Sequence, residues 1–220
     1  MSIKHSYKSL NKTNSYEFVS KASKFIAYAI PIQDKKEIDR AINGIKALHP
    51  KARHWCYAWK LGIQDTQSKT SDDGEPSGTA GKPILNQIES FELQNIIVIV
   101  VRYFGGTLLG TSGLIKAYKE STRCCLESAS IVTILIQKQF LISSHVSNIQ
   151  SLIGILKAFG IQILHYTLDE PASISFEIPV IEEMLWFIKI KSKFEKINRD
   201  QIQDPKSISE CILKELNTNT

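Results

Sequence analysis

Long apolar runs and the common redox and metal motifs are missing from this sequence. Its longest purely aliphatic run, residues 96–101, has six residues, whereas a membrane span needs about 18 or more. The first seven residues lack the apolar core of a signal peptide. We therefore expect a cytoplasmic protein whose thiols are reduced. The four cysteines, Cys56, Cys124, Cys125 and Cys211, show no Cys-x-x-Cys spacing, so neither a zinc site nor a redox pair is expected.

Familiar catalytic patterns are also missing. The sequence contains no Gly-x-x-x-x-Gly-Lys-Ser/Thr, no Gly-x-Gly-x-x-Gly and no Gly-x-Ser-x-Gly, which leaves phosphate-loop, dinucleotide and serine-hydrolase readings unsupported. His54 and Cys56 share one face of a predicted strand, but positions two apart are separated by about 6–7 Å. That spacing is too long for a direct nucleophile–base pair, and His54 fits a structural role better than a catalytic one. We predict no catalytic residue.

Glycine is concentrated in two blocks, residues 71–83 and 101–114. They hold seven of the 11 glycines. Because glycine is costly to order and is useful where the backbone needs positive φ or a close approach, the two blocks are predicted to build one site. The first block adds Asp72, Asp73 and Glu75, and the second adds the triplet 102–104, Arg-Tyr-Phe.

Charge is uneven along the chain. The net charge is +5, and residues 1–130 carry 18 Lys and Arg against 12 Asp and Glu. Residues 131–220 carry 9 against 10. A basic N-terminal half attracts polyanions, but this excess falls short of a dedicated nucleic-acid arm and also fits an ordinary solvated surface.

Apolar patterning predicts the elements of the first 130 residues. Runs 15–19 and 24–30 suggest a hairpin, and Asp34 is placed to cap a helix that ends at His49. Alternation over 53–60 predicts a strand with Trp55, Tyr57 and Trp59 on one face. Residues 64–78 are predicted as a long polar loop. A helix over 80–91, a central strand over 95–101 and a helix over 114–128 complete this half.

The remaining residues predict a second α+β domain. A strand over 131–142 precedes a helix over 146–159, which Gly160 ends. Strands over 161–168 and 172–178, a helix over 181–190 and a last strand over 194–201 give the order βαββαβ, a ferredoxin-like arrangement. The predicted domains are therefore 1–130 and 131–205, followed by a tail, 206–220, in which a short helix could form near Ile208.

The chemistry of the two blocks leaves several readings open. The glycine-rich turn before a helix could hold an anion, aided by Thr107, Thr111, Ser112, Arg102 and Lys116. Alternatively, Gly105, Gly106, Gly110 and Gly113 serve tight turning and helix–sheet packing. The three acids could hold a divalent cation, or a carboxylate could pair with Arg102 or Lys82. Ser77 or Thr79 could cap the next helix, and Tyr103 and Phe104 could stack on bases or belong to the core.

Together, the blocks resemble the signature of the YigZ/IMPACT family. The resemblance rests on 72–81, Asp-Asp-Gly-Glu-Pro-Ser-Gly-Thr-Ala-Gly, on 83–85, Pro-Ile-Leu, and on 102–106, Arg-Tyr-Phe-Gly-Gly, with Gly110, Gly113 and the upstream strand from His54 to Ala58. It covers about residues 1–130 and is only architectural beyond them.

The resemblance implies a fold and a set of partners. It implies an N-terminal domain like the second domain of a small-subunit ribosomal protein, shared with GHMP-type sugar and mevalonate kinases, and a C-terminal ferredoxin-like domain. Eukaryotic members are linked to translation initiation through a kinase activator, but that link depends partly on an extra RWD domain, so we do not expect that mechanism to transfer. Kinship with kinases at the level of fold assigns no chemistry.

The leading hypothesis is a noncatalytic, translation-associated protein that binds RNA or the ribosome. The alternatives are an enzyme or sensor for a phosphorylated small molecule and a protein-interaction module. No cofactor is predicted beyond a possible divalent cation. The candidate binding surface comprises His54, Asp72, Asp73, Glu75, Ser77, Gly78, Thr79, Gly81, Arg102, Tyr103, Phe104, Gly105, Gly106, Gly110, Gly113 and Lys116.

Overall fold

The computed structural model describes residues 5–216 and divides them into two compact units. One unit is Ser6–Ile134, and the other contains His5 and residues 135–216. Both units mix helices with antiparallel sheets, as expected for an α+β protein. Within the described residues, no helix is long and apolar enough to cross a membrane.

The first unit is built on a five-stranded sheet in the order β2-β3-β6-β4-β5. A separate two-stranded sheet pairs β1 with β7. The strands are β1 Ser6–Leu10, β2 Asn14–Ser20, β3 Ser23–Pro31, β4 His54–Leu61, β5 Gln67–Ser71, β6 Ile96–Tyr103 and β7 Ile131–Leu135, and the helices are α1 Lys35–Leu48, α2 Gly81–Ser90 and α3 Gly110–Glu127.

Helices cover both faces of the five-stranded sheet. Val98 and Val100 of β6 pack in one core with residues of α2 and α3, while Ile97 and Ile99 pack in a second core with residues of α1. Residues 96–102 are all buried, which confirms the prediction of a central strand covered on both sides. Successive side chains of a strand point to opposite faces, so alternate residues of β6 enter different cores.

Local signals placed the hairpin and the first helix, whereas strand β1 was not predicted. The hairpin is confirmed, and β2 pairs with β3 from Asn14↔Ala29 to Ser20↔Ser23. Lys21 and Ala22 form its turn with φ of 42° and 61°. Helix α1 begins after Asp34, whose carboxylate accepts a hydrogen bond from the Glu37 N–H at 2.8 Å, as predicted for an N-cap.

Strand β4 shows the predicted alternation. Cys56 and Ala58 are fully buried in the core that faces α2 and α3, whereas Trp55, Tyr57 and Trp59 lie on the α1 side. Its outer neighbour β5 was not predicted, because residues 67–71 carry no apolar alternation. Edge pairing from Tyr57↔Ser71 to Leu61↔Gln67 forms β5 through main-chain hydrogen bonds alone, so the predicted 64–78 loop contains a strand.

The second unit has a four-stranded sheet in the order β11-β8-β10-β9. Two 3₁₀ turns, Val180–Glu182 and Arg199–Gln201, flank its second helix. The strands are β8 Gln137–Ser144, β9 Gln162–Thr167, β10 Ala172–Pro179 and β11 Ile212–Leu216, and the helices are α4 Val146–Ala158 and α5 Glu183–Glu195. The order of these elements is the predicted βαββαβ.

Three elements beyond residue 130 differ from prediction. Residues 131–142 form two strands, because β7 pairs with β1 while β8 pairs with β10 and β11. The strand predicted over 194–201 is wrong, since Phe194 continues the helical spacing of the buried Phe187 and Ile190. The last strand is instead β11, at residues where a tail with a short helix was predicted; Leu213 pairs with the buried Ile142.

Candidate functional site

The two glycine blocks meet at the ends of β4 and β6, on the face of the sheet that carries α2 and α3. His54 of β4 lies directly opposite Arg102 of β6. The first block runs from β5 into α2, and the second runs from β6 into α3. Some side chains of these blocks, such as Glu75 and Arg102, are buried. Others, such as Ser77 and Phe104, are exposed, and we call the exposed part of the two blocks the glycine-block rim.

A buried ion pair joins the two blocks. Arg102 Nη1 donates to Glu75 Oε1 at 2.6 Å, and the two side chains are only 7% and 3% exposed. Tyr118 of α3 donates its hydroxyl to the same Glu75 oxygen at 2.8 Å. Losing one partner of such a pair leaves an uncompensated buried charge, which costs about 3–5 kcal/mol.

Cys56 extends this network. Its sulfur lies 3.2 Å from the Tyr118 hydroxyl and 3.0 Å from the Asp72 carbonyl oxygen, so the single thiol proton can serve either acceptor. We call Glu75, Arg102, Tyr118 and Cys56 the buried polar cluster. Burial raises the pKa of both Cys56 and Tyr118, which keeps the thiol and the phenol neutral at physiological pH. Neither group is an activated nucleophile.

Asp72 caps α2 from nine residues upstream of Gly81. Its Oδ1 accepts from the N–H groups of Ala80 at 3.0 Å and Gly81 at 2.8 Å, and its Oδ2 accepts from Gly78 N–H at 2.9 Å. Although burial alone would raise it, these three backbone donors lower the pKa of Asp72 below its ordinary value. A carboxylate at this position also complements the helix dipole.

The predicted hydroxyl caps are therefore wrong. Helix α2 has no side-chain cap on its own N-cap residue, Ala80. Thr79 Oγ1 instead donates to the Pro76 carbonyl oxygen at 2.7 Å, and Ser77 is exposed. Asp72 prevails because one carboxylate satisfies three amide donors, whereas a hydroxyl oxygen would satisfy fewer.

Asp73 fastens the first block to β4. Its Oδ2 accepts from the Trp55 N–H at 2.8 Å, and its carbonyl oxygen lies 2.9 Å from His54 Nδ1. Asp73 adopts a φ of 41°, a left-handed conformation that Asp tolerates better than most residues. His54 therefore holds the first block against β4 by this hydrogen bond, which agrees with the predicted structural role of the residue.

All three acids of the first block are engaged with the chain itself. Asp72 binds amides of the 78–81 segment, Asp73 binds β4, and Glu75 binds Arg102 and Tyr118. Among residues 5–216, no group of three or more His, Cys, Asp or Glu is placed to hold a metal ion. The hypothesis of a cation held by these carboxylates therefore gains no support, and the carboxylate–Arg102 pairing is confirmed, with Glu75 as the acid.

Two glycines permit close backbone approaches. A Cβ on Gly105 would lie 2.1 Å from the carbonyl carbon of Ala22 in the β2–β3 turn, and one on Gly81 would lie 2.8 Å from the Ser71 amide nitrogen. Gly105 N–H also donates to Ser23 Oγ at 3.2 Å. These contacts confirm the packing interpretation for Gly105 in the second block.

Four further glycines lie in or beside the glycine-block rim. Gly78, Gly106 and Gly110 have φ of 76°, 86° and 70° with no atom near a notional Cβ. A Cβ on Gly113 would lie 3.1 Å from the Cβ atom of Leu109. Only conformation, and not crowding, favours glycine at the first three positions.

The aromatic pair of the second block is split between two faces. Phe104 is 52% exposed, and its ring centroid lies 5.7 Å from the Arg102 guanidinium carbon. Tyr103 lies on the α1 side of the sheet, where its hydroxyl is 3.0 Å from His49 Nδ1. Lys116 of α3 is exposed. The sixteen predicted residues therefore do not form one continuous surface.

Sequence reasoning missed two members of the buried polar cluster as functional residues. Tyr118 lies within the predicted helix over 114–128, and Cys56 was predicted only to share a strand face with His54. Both side chains are fully buried. The signal that could have joined them to Glu75 was polarity, because a buried hydroxyl and a buried carboxylate each need a partner.

Comparisons with known proteins agree on one family. Residues 21–126 match the Impact N-terminal domain model. IMPACT family member YvyE of Bacillus subtilis is 38% identical over 128 residues, which are 58% of this chain and 59% of the relative. IMPACT family member YigZ of Escherichia coli is 45% identical over 100 residues, 44% of this chain and 49% of that relative. The chain thus spans about half to three-fifths of these curated relatives.

One solved structure matches nearly the whole chain. A crystal structure described as that of an hypothetical protein aligns with a TM-score of 0.73 and 26% identity, covering 91% of this chain and 97% of the other. The similarity therefore extends over both units, beyond the segment that matches the domain model.

Proposed function

Because this chain belongs to the YigZ/IMPACT family, we propose that it is a cytoplasmic, translation-associated regulatory protein that binds RNA or a ribosomal surface and performs no catalysis. Family membership supports the link to translation. The basic character of residues 1–130 supports a polyanionic partner.

The engaged state of the signature side chains supports binding over catalysis. The acids and Arg102 are held by internal hydrogen bonds, and the Cys56 thiol and Tyr118 phenol are buried and neutral. A catalytic base or nucleophile needs access to its substrate and a suitable pKa. The blocks instead present backbone, hydroxyls, apolar side chains and the Lys82 ammonium to solvent.

Phe104 is the observation that carries the proposal of an RNA contact. Its ring is half exposed, rests near the Arg102 guanidinium and precedes the close-packed Gly105. A ring fixed this way can stack on an unpaired base without losing much side-chain entropy. Lys116, exposed on α3, would contact phosphate, and phosphate contacts supply salt-dependent affinity.

We extend the proposal to the finer fold assignments. The sheet order β11-β8-β10-β9 and the element order βαββαβ support a ferredoxin-like second unit. The first unit is proposed to share the fold of the second domain of a small-subunit ribosomal protein. Both assignments fit a partner in the translation apparatus, although fold alone assigns no function.

Co-sedimentation with ribosomes and fluorescence anisotropy with single-stranded RNA test the proposal across a range of salt concentrations. Phe104→Ala should weaken binding, since base stacking on an aromatic ring contributes about 1–3 kcal/mol. Tyr16→Ala is the matched control, because Tyr16 is 40% exposed on the edge strand β2. Lys116→Ala should lower the salt slope by about one contact.

Two results would count against the proposal. The first is no association with RNA or ribosomes at micromolar protein at any salt concentration. The second is binding that falls equally in the Phe104 and Tyr16 variants, since that outcome would show that the loss is not specific to the glycine-block rim.

A further inference from the structure

Helix α5 of the second unit is apolar on two sides. On its inner side Phe187 and Ile190 are fully buried. On its outer side Ile181, in the 3₁₀ turn that precedes it, and Met184 and Leu185 are 59%, 52% and 46% exposed. A helix that is hydrophobic all round is normally covered all round, so the outer side lacks a cover.

The exposed residues form a stripe. Positions 181, 185 and 188 are separated by four and three residues, which places them on the same side of a helix. Ile188 is half-buried. We call Ile181, Met184, Leu185 and Ile188 the outer stripe.

The acids of this segment are all held inside the unit. Their side-chain oxygens accept hydrogen bonds from groups that do not face the outer stripe. The contacts are Glu182 Oε2 with Trp186 Nε1 at 2.9 Å, Glu183 Oε2 with Lys138 Nζ at 3.1 Å, and Glu195 Oε1 with the Ser209 amide at 2.7 Å.

The free charges beside the outer stripe are positive. Lys189 Nζ lies 4.2 Å from the centroid of the Trp186 ring, and Lys193 and Lys196 are exposed. In the described part of the chain none of these three lysines takes part in an ion pair. The spacing of four residues puts Lys189 and Lys193 along one border of the stripe, and Lys196 follows them at the C-cap of α5.

We propose that the outer stripe is a docking surface for an acidic amphipathic helix of a partner protein. Such a helix would lay apolar side chains along the outer stripe and set carboxylates against the three lysines. This surface is separate from the glycine-block rim and goes beyond the proposed RNA contact.

The composition of the stripe favours this occupant over others. Its centre is aliphatic, whereas unpaired RNA bases bind on aromatic faces. A second copy of this chain would set its own three lysines against the same three lysines, and like charges repel. A bilayer would receive only four apolar side chains, since the inner side of α5 is committed to the core.

A labelled model peptide tests the docking surface with the full chain. The probe is a helical peptide with Leu at i, i+3, i+4 and i+7 and Glu elsewhere on its surface, and its partner probe carries Lys in place of each Glu. Fluorescence anisotropy should show the acidic peptide binding at submillimolar concentration and the basic peptide binding at least about tenfold more weakly.

Variants of the stripe should remove this binding. Leu185→Glu should weaken binding of the acidic peptide by about tenfold or more, as expected for an interface anchor. Lys193→Glu should weaken binding of the acidic peptide and strengthen binding of the basic peptide. Leu164→Glu and Lys157→Glu are matched controls, since Leu164 is 39% exposed on β9 and Lys157 is exposed on α4. Both controls should bind like the wild type.

Several outcomes would overturn the inference. These are no binding of the acidic peptide, equal loss in the control variants, a loss of dimerisation by sedimentation velocity on Leu185→Glu, and binding of RNA or anionic vesicles that the stripe variants abolish. Because all four substituted residues are exposed or at the surface, an unchanged circular dichroism melting curve is expected for each variant. Failure of the peptide to bind would leave the Phe104-dependent RNA contact untouched.

Discussion

Two ion clusters of this chain each pair a basic side chain with a glutamate, but the clusters differ in their access to water. In the first unit, Arg102 and Glu75 are 7% and 3% exposed. In the second unit, Lys138 pairs with Glu183 at 3.1 Å and with Glu215 at 2.8 Å, and the exposed fractions are 25%, 12% and 48%.

The difference teaches what each cluster can do. Lys138 and Lys206 both pair with Glu183. Removing either lysine therefore leaves Glu183 with the other lysine and with water as partners. Arg102 and Tyr118 are the hydrogen-bond partners of Glu75, and no solvent can replace them. The buried polar cluster therefore specifies how the two glycine blocks meet, whereas the second unit can lose one ion pair of the Lys138 cluster at little cost in stability.

The largest expected effect is the removal of Arg102. Arg102→Met should lower the free energy of unfolding by about 3–5 kcal/mol, because Glu75 is left charged and buried. Urea denaturation measures this loss. If Arg102→Met unfolds at the same urea concentration as the wild type, Glu75 is not held by Arg102 in solution and the contrast between the two clusters disappears.

The next effect concerns the glycines that fasten the second block. Gly105→Ala should destabilise by about 1–3 kcal/mol or more, as overpacking does, because its Cβ would lie 2.1 Å from a backbone carbon of Ala22. Gly44→Ala is the control, since no atom lies within 4 Å of its notional Cβ in α1. That change should stabilise by about 0.5–1 kcal/mol.

A smaller effect is expected from the cap of α2. Asp72→Asn should cost about 0.3–1 kcal/mol at neutral pH, because Asn keeps a cap oxygen but loses the charge that complements the helix dipole. The folded-state pKa of Asp72 is lowered, so its contribution is present above the unfolded-state pKa of about 3.9 and is lost as the pH falls through the folded-state value. Unfolding curves from pH 7 to pH 2 should therefore converge for wild type and variant at the acid end. A gap that widens on acidification would contradict this sign.

The smallest expected effect is on the exposed cluster. Lys138→Met should cost about 1 kcal/mol or less, since partly exposed pairs contribute little. That cost should shrink further in 1 M salt, where the screening length falls to about 3 Å, while the cost of Arg102→Met should hardly change. An equal salt response in both variants would mean that the two clusters do not differ as described.

Much of the fold could be predicted because local patterns carried it. The Asp34 cap, the 20–23 turn and the alternation of β4 depend on neighbours in sequence. Strand β5 and strand β11 could not be predicted in this way, since their pairing partners supply the main-chain bonds that their own side chains do not signal. Phe194 misled because one apolar residue fits a strand or a helix equally well.

The candidate site was predictable in location but not in orientation. Glycine density marked the two blocks, and a carboxylate pairing with Arg102 was among the alternatives. The reach of Asp72 to amides up to nine residues ahead and the joining of Glu75 to Tyr118 depend on tertiary packing. Nothing in the spacing of Tyr103 and Phe104 shows which of the two faces α1.

The coupling energy between Glu75 and Arg102 tests most directly the central claim that the signature charges hold the two blocks together. A double-mutant cycle of Glu75→Gln and Arg102→Met, followed by urea unfolding, should give a coupling energy of about 2 kcal/mol or more, with the double variant more stable than the sum of the single changes implies. Additive losses would show that the two side chains do not stabilise each other and would contradict the account. Full stability in both single variants with RNA binding lost would also contradict it, and would show that these side chains serve a ligand.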